Sequence, residues 1–204
     1  MGFALLFPLM LGASALGASG MSLAVTEYMN IQTNGTTTVQ LKAVSDDQLY
    51  QFVKTFNSSF FDLKNDSTWS ISRKTNENND HIFEATTTVK TDDIDSALSD
   101  LRSTNAGSAA STFVFSPAIT KASTGFAKNR WTIHADVNPP MNSWMGTIAS
   151  SAVQFHYEIN PPGAIISSNG EQKSDGSISW SIPLGQPSTI DLISDASCIP
   201  FFTC

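Results

Sequence analysis

The sequence predicts an α+β fold: an antiparallel sheet built from hairpins, with two longer helices and one short helix in the order ββα-ββα-ββα-βββ. Three observations carry this expectation. Apolar and polar residues alternate over short runs, as in strands with one buried face. The runs come in pairs divided by Asn, Gly or Pro turns. Between the pairs the apolar spacing changes to i, i+3, i+4, the period of a helix. Hairpins joined in this way place helices on one face of a mainly antiparallel sheet.

Taken in chain order, Val25, Met29 and Ile31 alternate, then Val39, Leu41 and Ala43, with Asn34-Gly35 between them as a primed two-residue turn. Leu49, Phe52, Val53, Phe56 and Phe60 follow at helical spacing, with Ser45 and Gln48 as a capping box. Trp69 and Ile71 pair with Phe83, Ala85 and Val89 across a longer loop, the polar run Thr75 to Asp80. Ile94, Ala97, Leu98 and Leu101 form the next helix, and Asp92, Asp93 and Asp95 lie at its positive N-terminal end. Phe113, Phe115 and Ile119 pair with Trp131, Ile133, Ala135 and Val137 across a loop containing Gly125. Met141, Trp144, Met145 and Ile148 then fall on one helical face, with Asn138 as cap and Pro139 at the first helical position. Val153 to Ile159, Ile178 to Ile182 and Ile190 to Leu192 supply three closing strands, the first broken by Asn160-Pro-Pro-Gly163.

The chain has 204 residues, 41% apolar and 14% charged, enough for one domain with a true core. Eleven basic against eighteen acidic residues give a net charge of −7, which disfavours any nucleic-acid partner. Two cysteines, Cys198 and Cys204, cannot supply four thiolates to a structural zinc but suffice to close a small C-terminal loop in an oxidising compartment.

Residues 1–23 read as a signal peptide or an N-terminal membrane anchor, residues 24–195 as an extracytoplasmic domain and residues 196–204 as an apolar tail. Phe3-Ala-Leu-Leu-Phe-Pro-Leu-Met-Leu11 has the length of a signal-peptide apolar block, and Ala18 and Gly20 fit a cleavage site. The uncharged run to Thr26 is also long enough to remain as an uncleaved anchor. Asn34, Asn57 and Asn65 each begin a glycosylation sequon, used only if the host glycosylates exported proteins.

His134-Ala-Asp136 and His156-Tyr-Glu158 each set an imidazole and a carboxylate on one face of a strand. Were the two strands neighbours, His134, Asp136, His156 and Glu158 could hold zinc or manganese. The opposite face of each strand carries the apolar residues, so these pairs belong to the solvated face, and the sequence predicts neither cofactor nor metal. No nucleophile elbow, phosphate loop or calcium loop is present, and the expectation is a non-enzymatic protein. Thirteen Phe, four Trp and six Met supply core side chains and the means to line an apolar ligand pocket. Met141, Trp144, Met145 and Ile148 are its candidate lipid-binding face.

In the C-terminal third, Ile159-Asn-Pro-Pro-Gly163, Asn169-Gly170 and Asp175-Gly-Ser-Ile-Ser-Trp180 resemble the LppM-type domain family of exported, membrane-anchored prokaryotic proteins. The resemblance rests on Pro162, Gly163, Asn169, Gly170 and Trp180, and the order of the opening hairpin, helix and Trp69 strand extends it over about residues 24–195. It implies an extracytoplasmic α+β domain, tethered to a membrane, that binds a lipid or envelope glycolipid without catalysis. Ser19 stands where the lipidated cysteine of a lipoprotein would be, and Ile199-Pro-Phe-Phe202 is all that corresponds to a C-terminal membrane helix. The expected partners are an apolar small molecule or lipid, and the membrane through the N-terminal segment. The alternatives are a self-assembling structural subunit of a surface filament or envelope layer, and a metal-dependent hydrolase.

Overall fold

The computed structural model describes residues 21–55, 68–104, 115–125, 127–138 and 152–197. Its elements begin with β1 (Leu23–Ile31), β2 (Thr36–Ser45), α1 (Asp47–Thr55), β3 (Ser70–Thr75) and β4 (His81–Lys90). A 3-10 turn (Thr91–Asp93) leads into α2 (Ile94–Thr104), followed by β5 (Ala118–Gly125) and β6 (Lys128–Val137). The chain closes with β7 (Val153–Asn160), β8 (Ala164–Ser168), β9 (Glu171–Gln172), β10 (Ile178–Ile182) and β11 (Ser188–Ser197). The class is α+β and mostly sheet, as the alternation requires.

The strands form two sheets rather than one. A seven-stranded sheet has the order β3-β4-β2-β1-β7-β10-β9, and a four-stranded sheet the order β5-β6-β11-β8. The first sheet is not wholly antiparallel, because β1 at its centre pairs in parallel with β7, Val25 opposite Phe155 and Glu27 opposite Tyr157. A parallel neighbour needs a long crossover, and here everything between β1 and β7 serves as one. The final third holds five strands in place of the expected three, since β8 and β9 occupy the stretch after Pro162.

Alternation sets the two faces. In β1 the side chains of Val25, Glu27, Met29 and Ile31 point inward and are buried, while Thr26, Tyr28 and Asn30 are half-exposed on the other face. One apolar cluster joins the inner faces of both sheets to Leu49 of α1 and to Ile94, Ala97, Leu98 and Leu101 of α2. Trp69, Phe83, Trp131, Phe155 and Tyr157 are among its largest side chains and are all essentially inaccessible. Each such burial stabilises the fold by about 1.5–3 kcal/mol. Trp69 precedes β3 and donates its indole N–H to the Ala97 carbonyl at 3.3 Å, which ties α2 to the sheet edge.

Three hairpins share one loop geometry. In residues 33–35, 77–79 and 174–176 a three-residue loop forms a β-turn closed by Gly35 N–H to the Gln32 carbonyl, Asn79 to Asn76 and Gly176 to Lys173, each 3.1 Å. The last loop residue is left-handed: Gly35 at φ 84°, Asn79 at 63° and Gly176 at 88°. This is the turn-plus-bulge loop, not the two-residue primed turn predicted at Asn34-Gly35, and it makes the Thr75 to Asp80 connection shorter than expected. The side chains choose it. Asn34 Oδ1 accepts from Thr36 N–H at 3.0 Å and Asp175 Oδ1 from Ser177 N–H at 3.0 Å, so a short polar side chain braces each of these turns.

The α1 cap also lies one residue beyond the predicted position. Asp46 Oδ1 accepts from Leu49 N–H at 2.8 Å, and its other oxygen accepts from Ser22 N–H, whereas Ser45 is the last residue of β2 and bonds the Asp46 carbonyl. An aspartate serves as well as a serine in that role. No side-chain cap precedes Thr91–Asp93; of the three predicted capping aspartates, Asp92 and Asp93 lie in the 3-10 turn itself and Asp95 in the first turn of α2. Leu23 is already a buried residue of β1 and Ala196 a buried residue of β11, so both strands run past the predicted domain boundaries. Among the described residues no helix is long and apolar enough to cross a membrane.

Candidate functional site: a basic groove at the sheet edge

The sequence-predicted residues do not gather at one place. Met141, Trp144, Met145, Ile148, Asn57, Asn65, Cys198 and Cys204 lie outside the described residues, as do residues 1–20. Asn34 stands exposed on the first hairpin loop.

The two histidine–acid pairs do not meet, because His134 and Asp136 are on β6 of the four-stranded sheet while His156 and Glu158 are on β7 of the seven-stranded one. Each finds a local partner instead. His134 Nδ1 lies 2.8 Å from Asp191 across the β6–β11 pair, closer than the 3.7 Å from its Nε2 to Asp136. The Asp191 bond is the main cause holding the imidazole above its ordinary pKa. His156 pairs with Ser181 at 3.2 Å, and Glu158 accepts from Ser177 at 2.8 Å and from Lys173. Among the described residues no group of three or more His, Cys, Asp or Glu is placed to hold a metal.

Pro162, Gly163, Asn169, Gly170 and Trp180 come together at the corners where the chain passes between the sheets. After β7 the chain crosses to β8 through buried Pro161 and Pro162. Gly163 has φ 80°, and a Cβ there would come within 2.6 Å of the Ala196 Cα on β11, so only glycine fits. The chain returns to the first sheet through Asn169-Gly170. Asn169 Oδ1 accepts from Trp180 Nε1 at 2.7 Å and from Asp191 N–H at 2.9 Å, while its Nδ2 donates to the Thr189 carbonyl at 2.8 Å. Trp180 belongs to one sheet, Thr189 and Asp191 to the other, so a single side chain clasps both. Gly170 leaves room for the indole, since a Cβ would come within 2.5 Å of Trp180 Cε2.

Among the described residues, the inner aromatics Trp69, Phe83, Trp131, Phe155 and Tyr157 are packed core. A buried carboxylate sits among them: Glu27 Oε2 accepts from Phe115 N–H at 3.0 Å, which fixes the approach to β5. Burial, and then the nearby Glu27 charge, push the Tyr157 hydroxyl well above its ordinary pKa.

A concave feature among the described residues lies at the β3 edge of the seven-stranded sheet. A groove of about 400 Å³ runs between α1 and the β3–β4 hairpin, lined by Tyr50, Arg73, Lys74, Thr75, His81 and Ile82. Its wall is assembled in steps. Asp47, in the first turn of α1, accepts from His81 Nε2 at 2.9 Å and from Gln51 Nε2 at 3.2 Å. These bonds, His81 first, hold the Asp47 carboxyl below the usual range. Thus pinned, the imidazole stacks on Tyr50 with ring centroids 3.7 Å apart and planes 16° from parallel. The Lys54 ammonium stands 4.8 Å from the Tyr50 ring centre, and the Arg73 guanidinium 5.8 Å from that of Phe83. Lys74 and Lys42 share Glu84, at 3.3 and 3.7 Å. The described residues lining the groove thus bring two cationic residues, a histidine, a tyrosine, a threonine and one aliphatic residue, Ile82, on a chain that is acidic overall. Sequence reasoning missed this site. The available signals were Arg73-Lys74, adjacent cations on a strand, and His81, the third histidine, whose acid partner is 34 residues away.

No protein-family model and no curated protein matches the sequence. The solved structures include one with a similar fold, the folded domain of LppM from Mycobacterium tuberculosis. The two share 14% identity, with a TM-score of 0.51, over 89% of this chain and 93% of the other. At that identity the likeness is one of fold: the chain folds in the manner of the LppM folded domain.

Proposed function

We propose that this chain is a non-enzymatic, extracytoplasmic domain, held at or released from a membrane by residues 1–23, that binds an amphiphile of the cell envelope. The observation that carries the reading is the groove between α1 and the β3–β4 hairpin. Its Tyr50–His81 stack and Ile82 offer apolar surface, and its rim offers cations, the combination an amphiphile requires. The LppM-like fold supports the envelope setting. The ligand is taken at the surface edge, where the described residues form this groove.

A fluorescent phospholipid tests this on the full chain. Saturable binding is expected, weakened at least about fivefold by Tyr50→Ala, a loss of roughly 1 kcal/mol, with an unchanged circular dichroism spectrum. Affinity unchanged in Tyr50→Ala, or no saturable binding at all, would overturn the reading.

A further inference from the structure

We infer that β5 is an assembly edge: two copies of this chain pair their β5 strands antiparallel about a two-fold axis through Thr120, which joins their four-stranded sheets into one. The inference concerns a different part of the molecule from the groove and goes beyond the amphiphile reading.

A strand at the end of a sheet carries backbone N–H and C=O groups on its free side, and natural edges are blunted by shortness, bulges or charge. Among the described residues the sheet ends are β3 and β9 in one sheet and β5 and β8 in the other. The first two and the last are blunted. β9 has only two residues, one of them Glu171. β8 has five, and its pairing with β11 shifts register between Ile193 and Ser194. β3 carries the consecutive cations Arg73 and Lys74. β5 is different. It runs for eight residues, all exposed except half-buried Ile119, and holds a regular register with β6 from Ala118 to Ser123. Its one charged residue is Lys121, whose ammonium lies 5.1 Å from the ring centre of Trp131, its neighbour on β6. That charge is turned back over its own sheet and does not guard the edge.

The same residues select the partner and the register. An axis through Lys121 would set two ammonium stems face to face, and one through Ala122 would carry the pairing into the irregularity between Ser123 and Gly125. With Thr120 on the axis, Ala118 lies opposite the second copy's Ala122, Ile119 opposite its Lys121 and Thr120 opposite its Thr120. The faces stay in phase across the seam, because Ile119 sits opposite buried Ile133 and Thr120 opposite exposed Thr132 within each copy. Ala118, Thr120 and Ala122 are small enough for the second strand to approach along the outer face, and a directly opposed Thr pair is a favourable cross-strand contact. Each β5 has one free side, so the pairing closes as an isologous dimer and does not propagate. A seam of one strand pair falls below the roughly 1,200 Å² of a stable complex. The dimer is therefore weak and seen at high concentration.

The experiment is sedimentation velocity on the full chain in detergent over a wide concentration range. A reversible monomer–dimer equilibrium is expected. Thr120→Lys and Thr120→Glu each set like charges face to face on the axis and should weaken it at least about fivefold, with unchanged circular dichroism because Thr120 is exposed. An equal mixture of the two variants should recover the dimer, lose it again in high salt, and yield a zero-length carbodiimide cross-link between position 120 of one copy and position 120 of the other, located by mass spectrometry. A chain that is monomeric at every concentration overturns the inference and leaves the β5 edge to a strand of another protein. Association equally strong in the single variants overturns it too, since the contact then lies elsewhere. A mixture that neither recovers the dimer nor forms the cross-link overturns the register at Thr120.

Discussion

Asn169 shows how much one side chain can hold. Its amide serves Trp180, Asp191 and Thr189 at once, and alanine would leave the indole N–H without its partner. Asn169→Ala should cost about 1–3 kcal/mol by chemical denaturation, with a changed near-ultraviolet signal from Trp180; a loss under about 0.5 kcal/mol would contradict the clasp. His134 makes a different prediction. Its bond to Asp191 favours the protonated imidazole in the folded state, so the bond stabilises the fold at pH values below the ordinary 6.5 and that contribution fades as pH rises through the elevated folded value. In an NMR titration His134 should titrate above 6.5 and return toward it in Asp191→Asn; no movement would show that the pair is not formed. The inward position of Glu27 was legible in the alternation of β1, since Val25, Met29 and Ile31 define the buried face and residue 27 lies in phase with them. Its partner was not, because Phe115 is 88 positions away.

Elements were legible where the signal was local. Strand pairs and the inner face of α2 follow from periodicity alone, and Ile94, Ala97, Leu98 and Leu101 are buried together. Details decided by one hydrogen bond were not. Asn34-Gly35 invites a two-residue turn, but the Asn34 brace to Thr36 N–H favours a third loop residue, with Gly35 in the left-handed position. The start of α1 offered Ser45, Asp46 and Asp47 in succession; β2 consumes the first, leaving Asp46 as the cap. Asp46→Ala should therefore lower stability by about 1 kcal/mol or more, while Ser45→Ala should not disturb the Leu49 amide, and hydrogen exchange at Leu49 distinguishes them. Exchange unchanged in Asp46→Ala would place the cap elsewhere.

For the whole molecule, the decisive facts are non-local. Periodicity says that β6 and β7 each have a polar face, but not that they belong to different sheets, and it is this separation that disperses the two histidine–acid pairs. The resemblance residues do mark architecture: Pro162, Gly163, Asn169 and Gly170 are the corners at which the chain weaves between sheets, with Trp180 packed beneath one of them. The groove escaped the sequence because it is assembled from α1, β3 and β4, none of which carries a motif of its own.

The central claim, that this fold binds an amphiphile, is tested most directly by native mass spectrometry of the full chain extracted from the membranes of a lipid-containing host, compared with its denatured mass. The account predicts a reproducible excess that matches a lipid, disappears on denaturation and is reduced in Tyr50→Ala. A native mass equal to the denatured mass, under conditions that keep a known lipid-binding control loaded, would contradict it.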